Sequence, residues 1–225
     1  MLFRSVHRDA FVDEGLFERE MTQIFGRTWV YLALESQIRR PHDFVTAHIG
    51  RQPVFVTRGA DGQVRGFMNT CRHRGALVVH AKCGHAERHM CRYHSWTYDS
   101  SGRNVLIKHE KEGAYAPDFT RRDHDLAAIP RLAVYKGLIF GCLDADVVPL
   151  EDYLGEFRVW IDLVMEHGPQ GMEVIPGGAT YTFEGNWKLQ LENGMDFYHL
   201  TSAHPSFMAI VTRDRKSTRL NSSHV

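Results

Sequence analysis

The sequence predicts an α+β chain: a helical start, an antiparallel β-sandwich in the middle, and the opening of a second α+β domain behind it. Three observations carry this expectation. Apolar residues recur at helical spacing near the N-terminus, short β-rich runs with close turns fill the centre, and the helical period returns after Pro149.

The first element is a helix. Phe17, Met21, Ile24, Phe25 and Trp29 fall close to one face, and Asp13 is placed as its N-cap. Residues 1–30 are therefore read as a helical segment. Three hairpins follow. Pro53–Thr57 and Val64–Met68 flank Gly59-Ala60-Asp61-Gly62; Trp96–Tyr98 and Asn104–Ile107 flank Ser100-Ser101-Gly102; Leu132–Tyr135 and Leu138–Leu143 surround Lys136-Gly137. Short strands with close turns make a small antiparallel sandwich or barrel, assigned to residues 31–147. Beyond Pro149, Leu150, Tyr153, Leu154, Phe157, Trp160, Ile161 and Val164 restore a helical period. A strand over 180–184 and a helix from about Lys188 complete a partial second domain, residues 148–212. The last stretch, from Lys216 to Val225, is polar and aperiodic and resembles translated adapter sequence. Residues 213–225 are set outside the fold as a non-native tail.

Composition narrows the function. Lys+Arg and Asp+Glu are balanced at 27 each, so no global field recruits nucleic acid or anionic lipid. No apolar run approaches the roughly 20 residues of a membrane helix, and the N-terminus lacks the apolar stretch of a secretory signal. A cytoplasmic location is expected. In that compartment thiols stay reduced, so four cysteines beside 14 histidines point towards metal more than towards disulfides.

The first constellation is Cys71-Arg72-His73 followed, after 17 residues, by Cys91-Arg92-Tyr93-His94. Each loop supplies one thiolate and one imidazole beside a hairpin. A [2Fe–2S] centre of the Rieske type needs two cysteines on one iron and two histidines on the other, and replacing thiolates by neutral imidazoles raises its potential. The competing reading is a tetrahedral zinc site, which also accepts two Cys and two His. Zinc fingers usually pair like ligands, whereas each loop here is mixed. Gly75 stands where the backbone must turn tightly. Cys83 and Cys142 fit no ligand position and read as ordinary thiols; His80, His85 and His89 read as surface or supporting groups.

The second constellation runs from Asn186-Trp187-Lys188 through Asp196 and His199 to His204-Pro205. Asp196 and His199 are three apart and would share a helix face. Pro205 disfavours helical geometry at His204, so the helix should end near Ser202 or Ala203 and let His204 curl back towards His199. Two such histidines are two-thirds of a 2-His-1-carboxylate iron site. The plainer alternative is a pair of structural histidines at a helix end.

Cys71-Arg72-His73-Arg74-Gly75 and Cys91-Arg92-Tyr93-His94-Ser95-Trp96-Thr97 resemble the two cluster-binding loops of Rieske non-haem iron oxygenases, and Asp196 through His204 resembles the iron motif of the same family. Over roughly residues 10–212 the chain is similar to large (alpha) subunits of aromatic-ring-hydroxylating dioxygenases. The benzoate and anthranilate branch matches best, including Leu34–Ile38 and Gly50-Arg51-Gln52-Pro53. The family usually has Gly where this chain has Ser95. The resemblance implies that Cys71, His73, Cys91 and His94 hold the Rieske cluster and that His199 and His204 ligate a mononuclear Fe(II). Asp196 would bridge that iron site to a Rieske histidine of a neighbouring subunit. The third iron ligand, a carboxylate, would lie past residue 225.

The chain is thus expected to be a truncated N-terminal half that binds the cluster, holds catalytic iron poorly and does not turn over alone. For the parent, the resemblance implies O₂ activation on a small aromatic carboxylate. Its electrons would come from NADH through a flavin/iron–sulfur reductase or a ferredoxin, in a homotrimer or α3β3 assembly. Met195, Phe197, Phe207 and Met208 are candidate pocket residues, or plain core. A monooxygenase or demethylase of the same family, a Rieske electron-transfer protein and a zinc-binding module are the alternatives.

Overall fold

A computed structural model describes residues 6–221 apart from Arg121, Pro169, Pro176 and residues 178–180, and without the side chains of Thr120 and of residues 214–221. The chain divides into two compact units, Phe17–Gly178 and the paired segments Met1–Leu16 with Ala179–Val225.

The larger unit is built from antiparallel strands. Among the described residues they form three sheets: β1 (Val30–Leu34), β10 (Leu138–Cys142) and β9 (Arg131–Tyr135); β4 (Val64–Met68), β3 (Gln52–Arg58), β2 (Asp43–Ile49) and β5 (Cys83–His85); and β6 (Arg88–Met90), β7 (Thr97–Asp99) and β8 (Asn104–Leu106). All three expected hairpins form: β3 pairs β4, β7 pairs β8, and β9 pairs β10. At the last, Lys136 and Gly137 both take positive φ (49 and 83), the two-residue geometry whose twist matches the flanking strands. At the second, Gly102 has φ +83, and a Cβ there would stand 2.3 Å from the Phe67 ring, so only glycine fits.

Strand β3 is buried on both faces. Phe55 points into one cluster with Phe44, Phe67, Trp96, Tyr98 and the two loop cysteines Cys71 and Cys91. Its neighbours Val54 and Val56 point into another with Leu32, Ile49 and Ile139. That is the period of two made physical: one strand cements two layers. A third cluster joins Trp29, Cys142 and Leu150, and the Trp29 indole donates to the Val148 carbonyl at 2.8 Å.

The helical turns after residue 147 belong to this unit. One short helix, α3 (Pro117–Thr120), precedes β9; helices α4 (Leu150–Leu154) and α5 (Phe157–Met165) are separated at Gly155, whose φ is +50. The Tyr135 hydroxyl donates to Asp162 at 2.9 Å and Lys136 pairs with Glu166 at 3.0 Å, tying α5 to the β9–β10 turn. Only part of the expected apolar stripe is covered: Leu150 and Ile161 are buried, while Phe157, Trp160 and Val164 are exposed.

The N-terminal helix departs from the expected regular one. Short α1 (Asp9–Val12) is followed by α2 (Glu14–Glu20), with the Asp13 carboxylate accepting the Leu16 N–H at 2.6 Å as the N-cap reading requires. Met21–Phe25 then widen to a π turn, marked by the Gly26 N–H on the Met21 carbonyl at 3.0 Å. The extra residue rotates the face, which is why Ile24 is 40% exposed instead of lining up with Trp29.

In the smaller unit, α6 (Trp187–Met195) starts at Asn186, whose side chain accepts the Lys188 N–H. Among the described residues 181–184 the expected strand over 180–184 does not appear. Thr180 lies outside the described residues, and residues 181–183 are irregular. A strand alone leaves its N–H and C=O groups unpaired, and no described strand adjoins it. Helix α7 (Leu200–Ala203) stops at Ala203, as Pro205 dictates. Pro205 then opens α8 (Pro205–Asn221), which carries a helical backbone into the stretch set outside the fold as a non-native tail. No Gly or Pro interrupts residues 206–221.

Candidate metal centres

The two loops with Cys and His are copies of one turn. In the first, Gly75 N–H donates to the Cys71 carbonyl (2.8 Å) and Cys71 N–H to the Ala76 carbonyl (2.7 Å). In the second, Ser95 N–H donates to the Cys91 carbonyl (3.0 Å) and Cys91 N–H to the Trp96 carbonyl (2.8 Å). Each turn closes through a left-handed residue, Gly75 at φ +77 and Ser95 at φ +59. The departure noticed in the sequence, Ser95 for glycine, therefore falls where backbone geometry is most demanding.

These turns sort the four donors into like pairs. Cys71 and Cys91 are buried side by side, and the His73 and His94 rings stand 4.5 Å apart and nearly perpendicular. A cavity of about 350 Å³ lies between them, with Arg74 and Tyr93 at its rim. His73 Nδ1 is buried with no hydrogen-bond partner. A buried nitrogen left without a proton partner is costly unless something else takes its lone pair. Among the described residues no three His, Cys, Asp or Glu side chains are placed to hold one metal ion. A thiol pair facing an imidazole pair suits a two-iron centre, and does not suit a single tetrahedral ion that needs all four. The donor set therefore fits a [2Fe–2S] group.

The surroundings prepare these atoms. Burial pushes the Cys71 thiol up; the Tyr98 hydroxyl and the His73 N–H pull the other way, and neighbouring Cys91 adds to the rise. A bound metal reverses that balance by taking the thiolate directly. Burial, then the adjacent His94 and Arg74, push His73 down, which keeps the imidazole neutral as a ligand must be. Trp96 stacks parallel on His73 (5.1 Å, 15°) and fixes its ring plane. The Tyr98 hydroxyl lies 3.4 Å from Cys71 Sγ and accepts the Arg72 N–H at 3.1 Å. Asn69 holds the end of the first loop, accepting from Val78 and Val79 N–H and donating to the Val79 carbonyl at 2.7 Å. None of these three was singled out from the sequence. Trp96 and Tyr98 alternate on one face of the expected hairpin, which was the available signal.

The second constellation comes together differently from the expectation. Asp196 and His199 do not share a helix. Asp196 ends α6 in an extended conformation (φ −89, ψ 103), because its carboxylate turns back to accept the Tyr198 N–H at 2.8 Å. The same carboxylate still reaches His199 Nδ1 at 3.3 Å. His204, just past α7, brings its ring to 5.1 Å from that of His199. Met195, Phe197 and Phe207 stand exposed.

The model of the Rieske [2Fe-2S] domain family matches residues 28–132. This segment holds both loops and all four paired donors. Beyond that segment the likeness continues. The chain is 44% identical over 203 residues to the toluate 1,2-dioxygenase subunit alpha of Pseudomonas putida, covering 90% of this chain and 45% of that one. It is 41% identical over 208 residues to the anthranilate 1,2-dioxygenase large subunit of Acinetobacter baylyi, covering 92% and 44%. The crystal structure of naphthalene 1,2-dioxygenase from Rhodococcus sp. bound to indole superposes with a TM-score of 0.77 at 35% identity, over 86% of this chain and 44% of that one. Residues 28–132 are thus a Rieske domain, and the chain is similar to large subunits of aromatic-ring-hydroxylating dioxygenases, of whose length it spans less than half.

Proposed function

We propose that this chain is the electron-receiving half of an oxygenase large subunit acting on a small aromatic carboxylate. The reading rests on one observation above all: two turns with the same hydrogen-bond pattern that present a thiol pair and an imidazole pair, with His73 Nδ1 buried and unpartnered. By function, residues 31–147 are the cluster domain and 148–212 the start of the iron domain, with 1–30 a helical lead and 213–225 outside both.

Cys71 and Cys91 would hold one iron of the cluster, His73 and His94 the other, and His199 with His204 the mononuclear iron. When bound, these groups supply one-electron transfer and activation of O₂. The chain's own part is positional. Trp96 keeps the His73 plane fixed, and Tyr98 offers its hydroxyl to the Cys71 sulfur. Asp196 accepts a hydrogen bond from His199 Nδ1–H, which would leave Nε2 free to ligate, and in an assembled trimer or α3β3 complex it would reach a neighbour's cluster histidine. Exposed Arg72, Arg74 and Arg92 interleave with the cluster ligands, a basic rim for an acidic reductase or ferredoxin. The substrate class rests on relatives named for toluate and anthranilate, both aromatic carboxylates.

Anaerobic protein loaded with iron and sulfide and reduced with dithionite should give the rhombic, low-average-g EPR signal of a His-ligated [2Fe–2S] cluster. After dialysis it should keep two irons and two sulfides per chain in the cluster. A folded, loaded protein that stays EPR-silent would refute the cluster assignment.

A further inference from the structure

A second histidine pair lies away from both centres, where the end of β5 pairs with the start of β2. His42 precedes β2 and His85 ends β5; their rings are 5.9 Å apart and nearly perpendicular. His85 Nδ1 lies 2.9 Å from Asp43 Oδ1, and His42 Nδ1 lies 2.8 Å from the Ser100 hydroxyl. Asp43 is itself braced by the Arg40 N–H at 2.9 Å. Burial opposes its charge, but that N–H, His85 and the Arg40 guanidinium outweigh burial and hold the carboxyl below its usual range.

An ionised carboxylate only accepts, so His85 Nδ1 carries the proton and Nε2 is left with a lone pair. With His42 Nδ1–H donating to the Ser100 hydroxyl, the tautomer that metal binding selects, Nε2 supplies the second lone pair. Imidazoles oriented from behind by a carboxylate or hydroxyl are how proteins prepare histidine for a metal. His85 keeps 48% of its side chain exposed and His42 is half-buried, so the pair is open to solvent.

The backbone adds an independent observation. His42 has φ +70, a left-handed conformation uncommon for any residue but glycine. Two backbone bonds hold it there, His42 N–H to the Arg58 carbonyl (2.7 Å) and Ala86 N–H to the His42 carbonyl (2.9 Å). The second bond comes from the residue after His85, so one feature fixes both rings. Strain held in place by its surroundings is common at binding sites.

We propose that His42 and His85 form a surface site for a late first-row divalent cation of the Zn²⁺ or Cu²⁺ class, bound through the two imidazoles with solvent completing the shell. Imidazole donors favour such ions over magnesium or calcium. Among the described residues no third protein ligand joins them, so the ion is exchangeable. It clamps β5 to the start of β2, just before the chain passes through β6 to Cys91.

The test is Cu²⁺ titration of the full chain with its cluster loaded and oxidised, a state that is EPR-silent. A His199→Ala/His204→Ala/Cys83→Ser background removes the other histidine pair and the exposed thiol. One Cu²⁺ per chain should bind with hyperfine coupling from two imidazole nitrogens, and Zn²⁺ should compete for it and raise the melting temperature. Asn tolerates left-handed backbone, so His42→Asn and His85→Asn should stay folded by circular dichroism, lose one nitrogen coupling each and weaken binding at least tenfold. Ser100→Ala and Asp43→Asn should weaken it by about 10- to 100-fold, the usual effect of removing a group behind a ligand. Copper coupled to fewer than two nitrogens, or unchanged affinity in folded His42→Asn or His85→Asn, overturns the site.

Discussion

Ser95→Gly should make the protein more stable, and the mirror substitution Gly75→Ala should make it less so. The two positions close equivalent turns, and both have left-handed backbone, φ +59 at Ser95 and φ +77 at Gly75. An L-residue in that region costs about 1–2 kcal/mol, and glycine returns roughly 0.5–1 kcal/mol of this through its freer unfolded chain. Relief at Ser95 is therefore worth about 0.5–1 kcal/mol net. At Gly75 an added Cβ meets nothing within 4 Å, so Gly75→Ala isolates the conformational cost, again about 1 kcal/mol, from any clash. For a chain of this size that is roughly 2–4 °C in Tm per kcal/mol, upward for Ser95→Gly and downward for Gly75→Ala. Melting of cluster-loaded protein, followed by circular dichroism and by the visible absorbance of the cluster, reads both. A lower Tm for Ser95→Gly at equal cluster content would refute the equivalence of the two turns.

Asn69→Ala leaves two N–H groups and a carbonyl unpaired beside buried Val78 and Val79, and should cost about 2–4 kcal/mol in urea unfolding; a loss below about 0.5 kcal/mol would remove Asn69 as the clamp on the first loop. Tyr98→Phe deletes the hydroxyl beside Cys71 Sγ, which favours the more negative reduced cluster. At about 1 kcal/mol per hydrogen bond the midpoint potential should fall by roughly 20–60 mV in a voltammetric titration, and an unchanged potential would deny that contact a role. Burial, then hydrogen bonding and charge from Asp162, raise Tyr135 above the ordinary phenol value. The folded state holds this proton more tightly than the unfolded one, so the contribution is complete below about pH 10 and lost as pH rises through the folded value. Tyr135→Phe should flatten that alkaline loss of stability in urea titrations, and an identical pH profile would contradict it.

The parts legible in the sequence were those where one local rule decides. Lys136-Gly137 can make only a tight hairpin, and Pro205 must end the helix before it. The paired loops needed only residue type and spacing. The misreadings have a common cause, an interaction that period alone cannot see. Ile24 left the apolar face because one extra residue in a π turn rotated it. Asp196 broke the helix because its carboxylate found the Tyr198 N–H. Residues 181–183 read as strand by composition, yet a strand exists only where another supplies its hydrogen bonds. Trp96 on His73 and Asn69 on Val79 join residues far apart in sequence, and only the fold brings them into register.

Strand β1 lies directly against β10, Val30 opposite Gly141 and Leu34 opposite Leu138. The chain thus leaves on the cluster-bearing excursion and comes back at the same place, with about a hundred residues in between. Such a segment is a detachable cassette. Its two ends are already stitched together, so it can be carried within another polypeptide without stretching its host, and swapping it between relatives needs only two cuts a strand's width apart. The same arrangement makes the stitch a long-range pairing, whose loop-closure cost slows folding compared with the local hairpins.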